Sequence, residues 1–491
     1  MRRFLLAASI VAIVALPVAV AATPDYTPGL PVVASPAASP LPDPCPAQAE
    51  NPPDQVNYKD TEVEPQIAVN PTDQNNVIGV FQQDRWSDGA AHGLLSAVSL
   101  DGGATFVNNW AEFSACSDLP GTPFREPLPR ATDPWVSFDA AGRAYQIALA
   151  IIDGQLSDSA VTASYSTDKG ATWSVPADLT RDADPLGIVF NDKQSITGDP
   201  NIAGRAYATW IQGELPGEEM SFAKLAHAFS FRGTPVFSRT TDGGLTWSRP
   251  TAMTNANIYA QGNQIAVLPG GTLLDVQAVL FKGSGVQPNK NAVFMAVQRS
   301  TDGGRHWSPA VRIAPLSVSA EAADGRPLRV GDYLPDIAVD RQSGAVYVTW
   351  ADNQGGSTNK IVLSRSTDAG KTWSTPIVVS HHDAAHSFNH AVAVANDGEL
   401  ATLYYDIAGN TAAAGIPTDV YLRHSDDGGR TWSAAQLLYS FDFAKAPFAR
   451  GLFLGDYMGL EALGSNDLIA FFAVTDANPD SANVISLRLN R

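Results

Sequence analysis

The chain is poor in positive charge and in helical periodicity. Its 491 residues include 32 basic and 50 acidic side chains, and charged residues make up only 17%. The net charge of −18 argues against a nucleic-acid partner, since nucleic acids attract clustered Lys and Arg. No long stretch carries a 3.6-residue apolar period, which argues against a helical fold. The sequence also lacks a Ser nucleophile elbow, a phosphate-binding Gly loop and a Cys-pair metal site.

Long apolar runs are also missing, apart from one at the start. Arg2 and Arg3 precede the apolar stretch Phe4 to Val20, and Ala19-Val20-Ala21 fits a small-residue cleavage site. We therefore predict a cleaved signal peptide over residues 1–21 rather than an uncleaved anchor. No other stretch is long enough to span a bilayer, so we expect a secreted or periplasmic protein with no membrane span.

Cysteine is scarce, with only Cys45 and Cys116 present. In an exported protein the two would form one disulfide, although both could be free. Residues 22–60 are rich in Pro, Ala, Asp and Ser and read as a linker or a surface strap. From residue 61 to 491 the sequence is a cycle of short β runs.

A short phrase recurs through these β runs, with the pattern Ser/Thr, any, Asp, any, Gly, any, Thr, aromatic. The clearest copy runs from Ser166 to Trp173. One copy departs from the pattern, with His306 at the Thr position. The aspartates of the six copies are Asp101, Asp168, Asp242, Asp302, Asp368 and Asp427. Repetition at spacings of 59 to 74 residues indicates a repeat architecture. The phrase predicts a hairpin turn, because Asp accepts nearby backbone N–H groups and Gly allows positive φ. The alternative, that these aspartates bind ligand, would need six separate sites.

Each cycle contains four short strands, which is the make-up of a propeller blade. Seven opening strands can be read, beginning near Glu64, Asp133, Asp192, Gly262, Asp332, Asn389 and Asp456. We predict an all-β propeller of four-stranded antiparallel blades, with seven blades favoured and six as the alternative. An N-terminal strand, Gln55 to Tyr58 or Leu30 to Val33, would close the ring.

The opening strands of a propeller line its channel, and we call the channel end where they begin the mouth. Carboxylates stand at this position in five units: Glu64, Asp133, Asp192, Asp332 and Asp456. Crowded carboxylates raise each other's pKa, which is how a general acid for glycoside chemistry is made. The same ring would also suit Ca²⁺, although no cofactor is required. Alternatively, each carboxylate caps local backbone or lies in water.

Other candidates are predicted near the mouth. Tyr333 and Tyr457 each follow a Gly-Asp pair and would serve as a nucleophile, a sugar platform or packing. Lys193 adds a cation. The stretch from Gln82 to Gly89 contributes Arg85, Trp86 and Asp88, for a carboxylate-bearing or sugar ligand or for a structural ion pair. Four histidines with Asp383 form either a metal site or a plain loop: His381, His382, His386 and His390.

The repeated phrase resembles the Asp-box, or BNR, repeats of the sialidase superfamily, over essentially Glu62 to the C-terminus. The resemblance implies a propeller and, in its enzymes, three arginines, a Tyr–Glu nucleophile pair and an Asp acid/base. Val63-Glu64-Pro65 stands where bacterial members have Arg-Ile-Pro, so the first arginine is missing. The stretch from Gln83 to Asp88 resembles the Asp-x-Arg region, which implies roles for Arg85 and Asp88. Tyr457 resembles the family's late tyrosine.

Two functions follow. The first is an exported, sialidase-like exo-glycosidase that removes sialic acid or another terminal sugar from glycans, with Asp88, Asp332 or Asp456 as acid/base and Tyr457 as nucleophile. Arg85 would orient the substrate, and the remaining mouth residues would bind it. The second is a non-catalytic propeller that binds glycans or a protein partner. On charge alone we expect a neutral glycan or a ligand bridged by a cation, and we expect a monomer.

Overall fold

The computed structural model describes residues 25–43, 45, 55–117, 128–151, 158–183, 189–214, 232–254, 258–281, 293–319, 322, 325–381, 386–407 and 415–491. These residues form strands and two 3-10 helices, Ala115–Ser117 and Phe443–Lys445, so the predicted all-β class is confirmed. Neither helix is long and apolar enough to cross a membrane. The predicted signal peptide lies outside the described residues.

The strands fall into successive antiparallel units. Two short strands come first, β1 (Thr27–Pro28) and β2 (Val32–Val33). Unit one contains β3 (Asn57–Val69), β4 (Val77–Trp86), β5 (Ala91–Ser99) and β6 (Val107–Asn109). Unit two contains β7 (Arg130–Phe138), β8 (Ala144–Ile151), β9 (Asp158–Ser166) and β10 (Ala177–Ala183). Unit three contains β11 (Val189–Gly198), β12 (Ala206–Glu214), β13 (Arg232–Thr240) and β14 (Thr251–Ala252). Unit four contains β15 (Ile258–Val267), β16 (Leu273–Phe281), β17 (Val293–Ser300) and β18 (Val311–Pro315).

The second half continues the pattern, with one interruption. Unit five contains β20 (Asp336–Val339), β21 (Val346–Asp352), β22 (Lys360–Ser366) and β23 (Ile377–Val378). Unit six contains β24 (His386–Val394), β25 (Leu400–Ile407), β26 (Pro417–Ser425) and β27 (Gln436–Asp442). Unit seven contains β29 (Gly459–Leu463), β30 (Asp467–Thr475) and β31 (Ala482–Asn490). The strands β19 (Leu328–Arg329) and β28 (Leu452–Phe453) lie outside the units and pair with each other in parallel.

The N-terminal strands complete unit seven. β1 pairs with β31 through Thr27 and Asn490, and β2 pairs with the same strand through Val32 and Ser486. Of the two predicted closing segments, Leu30 to Val33 therefore contains a pairing strand, whereas Asn57 and Tyr58 belong to β3. The first strand of each unit contacts that of the next, and β29 contacts β3.

The predicted disulfide forms between Cys45 and Cys116, whose Cα atoms are 5.4 Å apart. It joins the N-terminal strap to the 3-10 helix that follows unit one. Together with the pairing of β1 and β2, the disulfide holds the strap against the strand units at both ends.

The repeated phrase forms the predicted turn. Asp168 Oδ1 accepts the backbone N–H of Thr172 at 2.9 Å, and its Oδ2 accepts the Thr172 hydroxyl at 2.6 Å. Gly170 adopts a φ of 89°, a conformation that glycine takes without strain. Trp173 packs against apolar clusters between units one and two. The corresponding aspartate–turn bonds recur in the other five copies.

Apolar residues are buried mainly where neighbouring units pack face to face. Gly79 in unit one lies against the ring of Phe471 in unit seven, and a Cβ at this position would be 2.2 Å from that ring. Only glycine leaves room for this approach. Packing between units fixes the relative positions of their first strands, and these strands carry Glu64, Asp133 and Lys193 of the candidate site.

Candidate active site

Near the start of several first strands a β-bulge brings side chains of neighbouring strands together, at the end that we continue to call the mouth. The register shifts between Val63 and Gln66 in β3 and between Thr132 and Trp135 in β7. Pro65 and Pro134 lie within these shifts; proline cannot donate a ladder hydrogen bond and so favours a bulge. The first residue of the bulge adopts positive φ in five of the described first strands: Glu64, Asp133, Lys193, Gly262 and Asn389.

Three carboxylates lie around one ammonium at this end of the strands. Oxygen atoms of Glu64, Asp133 and Asp456 lie within 4.8 Å of one another. Lys193 Nζ is 2.5 Å from Asp456 Oδ2, 3.2 Å from Asp133 Oδ1 and 3.8 Å from Glu64 Oε1. All four residues are buried or nearly so. We call these residues, together with Arg329, the mouth cluster.

Arg329 reaches the mouth from outside the seven units. Its Nη2 donates to Asp456 Oδ2 at 2.6 Å and its Nε to Asp456 Oδ1 at 3.2 Å, a bidentate pair. β19 ends at Arg329 and pairs with β28, and Asp456 follows β28 three residues later. The pairing of β19 with β28 therefore positions both members of the ion pair. Arg450, on the loop before β28, lies close enough to interact electrostatically with Asp133 and Asp456.

Two carboxyls of the cluster have opposite protonation tendencies. Burial and the neighbouring Asp133 raise the pKa of Glu64 well above its ordinary value. Burial would also raise the pKa of Asp456, but Arg329 and Lys193 outweigh it and hold that pKa well below its usual range. These shifts favour the protonated form of Glu64 and the ionised form of Asp456. Such a separation of pKa values assigns acid and base roles in hydrolases.

The mouth is less acidic than the sequence predicts. Lys193, Arg85, Arg329 and Arg450 interact electrostatically with its carboxylates. These four cations balance carboxyls that the sequence presents as a negative ring. The charge of the mouth therefore no longer favours a neutral glycan over a charged one. The three clustered carboxylates do not fit Ca²⁺ either, because the Lys193 ammonium lies among them.

The stretch from Gln82 to Gly89 divides between the mouth and the packing outside it. Arg85 is buried and lies over the ring of Phe453, as does Arg329, at 4.8 and 4.0 Å from the ring centroid. Asp88 instead accepts from Arg130 Nη1 at 2.8 Å. Trp86 is 1% exposed, so it packs inside the protein and does not offer a face to a sugar. Of the three predicted residues, the structure brings only Arg85 to the mouth cluster.

The remaining predicted residues lie beside the cluster in different roles. Tyr457 donates its hydroxyl to the Pro134 carbonyl at 2.9 Å, and burial raises its pKa well above the ordinary value, which does not support a nucleophile. Burial, with Asp456 nearby, raises the pKa of Asp332 to about 6. Burial likewise raises that of Asp192 to about 6 although Lys193 opposes it. Tyr333 packs against the core beside unit five.

The histidines do not gather around a metal position. His381 Nδ1 contacts the Tyr404 hydroxyl at 2.9 Å, and His386 Nδ1 accepts the Asn359 N–H at 3.3 Å. Burial lowers the pKa of His390 to about 4. His382 and Asp383 lie outside the described residues. Over the part of the chain that the structure describes, the histidines with their neighbours form no three-ligand group.

Sequence reasoning missed Arg329, Arg450 and Gln82. Neither arginine belongs to a repeated strand, so the repeat pattern carried no signal for it. Gln82 belongs to β4, and its side chain reaches Glu64 Oε2 and the hydroxyl of Thr132. The polar run from Gln82 to Arg85, which follows an apolar start of the second strand, was the one signal that could have marked Gln82.

In sequence, the chain is similar to a sialidase of Bacteroides fragilis, at 30% identity over 189 residues. The match covers 33% of this chain and 32% of that protein. It is also similar to a xyloglucanase of Paenibacillus sp, at 25% identity over 252 residues, 47% of this chain and 22% of that protein. The chain thus spans a third or less of the curated relatives it matches. No family model matches it.

Solved structures with sialidase and arabinofuranosidase names are similar to the chain as well. The Hadza microbial sialidase Hz136 shares 15% identity at a TM-score of 0.47, with 83% of this chain and 75% of that chain covered. The GH93 alpha-L-arabinofuranosidase of Fusarium graminearum shares 11% identity at a TM-score of 0.47, with 95% and 98% covered. The repeated phrase predicts a resemblance to sialidases. The match to the Bacteroides fragilis sialidase, over about a third of the chain, confirms this resemblance.

Proposed function

We propose that this protein is an exported glycoside hydrolase that removes terminal sugars, sialic acid or another, from glycans or glycoconjugates. The observation that carries the proposal is the pairing of Glu64 with Asp456. Their carboxylates approach within 4.8 Å, and their pKa values are pushed in opposite directions. Carboxyl groups about 5 Å apart are typical of retaining glycosidases.

Each group has a role in this chemistry. Glu64 donates its proton to the glycosidic oxygen as the bond to the sugar carbon breaks. Asp456, kept ionised by Arg329 and Lys193, stabilises the positive charge that develops on the sugar. A water molecule then attacks the sugar carbon and gives a proton back to the Glu64 carboxylate, which completes the hydrolysis. We therefore assign Asp456 the role of charge stabiliser, whereas the sequence predicts an acid/base role for it. Arg85, Arg329 and Arg450 would accommodate a carboxylate-bearing sugar.

The scaffold that we infer is a seven-bladed propeller closed by the N-terminal strands. Contact between β29 and β3, and the pairing of β1 and β2 with β31, support this inference. The disulfide between Cys45 and Cys116 supports export, since disulfides persist in oxidising compartments. A monomeric state and the absence of a required cofactor stay predictions.

Sugar release from a panel of sialosides and neutral glycosides tests the activity. We expect release from at least one substrate, and a loss of kcat of about 100-fold or more in Glu64→Gln and in Asp456→Asn. Asp88→Asn is the matched control, because Asp88 pairs with Arg130 away from the cluster. Equal losses in all three variants would contradict the assignment, and near-UV circular dichroism checks that each variant folds.

A binding function is the second candidate, and the position of Lys193 favours it. Its ammonium fills the space among the three carboxylates that a reacting sugar would approach. In that case the protein retains glycans on an array but releases no sugar from any of them. Hydrolysis of a retained glycan would exclude this candidate.

A further inference from the structure

Gln82 forms hydrogen bonds both with Arg85, a cation of the mouth, and with Glu64, the proposed proton donor. The side chain is fully buried in β4. Its Oε1 accepts from Arg85 Nη1 at 2.7 Å, and its Nε2 donates to Glu64 Oε2 and to the Thr132 hydroxyl, the latter at 2.8 Å. One amide therefore contacts residues of three strands, β3, β4 and β7.

Arg85 fixes which way this amide points. A guanidinium can only donate hydrogen bonds, so the atom facing it must be the amide oxygen. The amide nitrogen then faces Glu64, and its N–H makes Oε2 an acceptor. A proton on Oε2 would collide with that N–H. The orientation of Gln82 thus follows from chemistry rather than from the similar appearance of the two amide atoms.

The second oxygen of Glu64 is left for the proton. Glu64 Oε1 is buried, has no hydrogen-bond partner among the described residues, and lies 3.8 Å from Lys193 Nζ. This oxygen is on the side of Lys193, whose ammonium also contacts Asp133 and Asp456. The charged and titratable groups that face Glu64 are Arg85 on β4, Asp133 on β7, Lys193 on β11, Arg329 on β19, and Asp456 and Tyr457 before β29.

We infer that Gln82 is a positioning residue which, held by Arg85, keeps the Glu64 proton on Oε1. The inference rests on the proposed glycosidase function. When Oε1–H gives its proton to the leaving oxygen, the electron pair of the broken bond stays on that oxygen and Glu64 becomes a carboxylate. The Gln82 N–H then stabilises the charge on Oε2, because hydrogen bonds to ionised groups are stronger than neutral ones.

Leaving-group dependence tests this role. Gln82→Met keeps an apolar chain of similar length but cannot donate, so proton delivery should suffer. We expect kcat/KM to fall about 10- to 100-fold on an alkyl glycoside, which needs a protonated leaving group. On the nitrophenyl glycoside of the same sugar, whose leaving group needs no proton, we expect a fall of less than about threefold. Equal losses on both substrates would overturn the inference.

Gln83→Met is the matched control. Gln83 is the neighbouring residue of the same strand and equally buried, but its Nε2 donates to Glu62 and Asp84 instead. Its replacement should leave the ratio of the two substrates unchanged. A changed ratio in Gln83→Met would show that loss of any buried amide in this strand has the same effect.

An infrared measurement tests the role of Gln82 independently of glycosidase activity. Subtracting the spectrum of Glu64→Gln from that of the wild type isolates the carboxyl band of Glu64. In the Gln82→Met background this band should move to higher frequency, because its oxygen loses a donor. An unmoved band refutes the role of Gln82 even if the protein hydrolyses glycans. A moved band in a protein that releases no sugar would refute the glycosidase alone.

Discussion

Replacing Lys193 by Met should destabilise the protein in a pH-dependent manner. The ammonium is the shared partner of Asp133 and Asp456, and its side chain is only 10% exposed. Removing one partner of a buried ion pair typically costs about 3–5 kcal/mol, because the remaining charge is left desolvated. Arg329 still binds Asp456, so the loss should be near the lower figure.

The pH dependence follows from the groups left behind. In the wild type the pKa of Asp456 is held down, so its contribution to stability is present above the unfolded pKa of about 3.9 and is lost only at lower pH. Burial and the neighbouring Asp133 already raise the folded pKa of Glu64, and without Lys193, which opposes them, it should rise further. Groups with raised pKa favour the folded state below their unfolded pKa and lose that contribution as pH rises. The destabilisation should therefore be larger at pH 8 than at pH 5.

Guanidinium unfolding at the two pH values measures this effect, and Lys169→Met is its control. Both lysines adopt positive φ and pair with an aspartate, but the Lys169 side chain is 53% exposed. We expect less than about 1 kcal/mol for the exposed pair and no difference between pH 5 and pH 8. A Lys193→Met loss that is independent of pH, or no larger than that of Lys169→Met, would refute the reasoning.

Two further predictions concern buried groups away from the mouth. Asp275→Asn should raise the melting temperature at pH 8 but not at pH 4. Burial raises the pKa of Asp275 well above its ordinary value, so the wild-type group favours folding at low pH and loses that contribution as pH rises; a lower melting temperature at pH 8 would contradict this. Tyr26→Phe should lower the free energy of unfolding by about 1–3 kcal/mol in denaturant titration, because the Tyr26 hydroxyl donates to buried Glu399 at 2.7 Å. An unchanged midpoint would show that the bond contributes nothing.

The sequence predicts the parts of the fold that are encoded locally. The phrase around Asp168 forms its turn from residues within six positions of one another, so each turn can be predicted from its own copy of the phrase. The openings at Glu64 and Asp133 could be placed because an acidic residue stands at the start of each opening strand. In unit three the same reasoning marks Asp192, yet the bulge places Lys193 at positive φ. A register shift of one residue changes which side chain faces the mouth, and the sequence does not reveal it.

The ion pairs of the mouth depend on distant segments. Arg329 and Asp456 meet because β19 and β28 pair, and two-residue strands leave no periodic pattern to read. The two Gly-Asp-Tyr triplets show the same limit. Tyr333 adopts positive φ and packs beside unit five, whereas Tyr457 does not and donates to the Pro134 carbonyl. Identical tripeptides thus differ in role because their tertiary neighbours differ.

The pairing of β1 and β2 with β31 has a consequence for the order of folding. Chains are synthesised from the N-terminus, so the strands that complete unit seven are made before every other strand described. Ser35 and Val484, joined by a hydrogen bond at this edge, are separated by 449 residues. The early strands must stay unpaired until β31 arrives, and such long-range pairing is slow and leaves a strand edge open. We therefore expect the completion of unit seven to be a late step of folding.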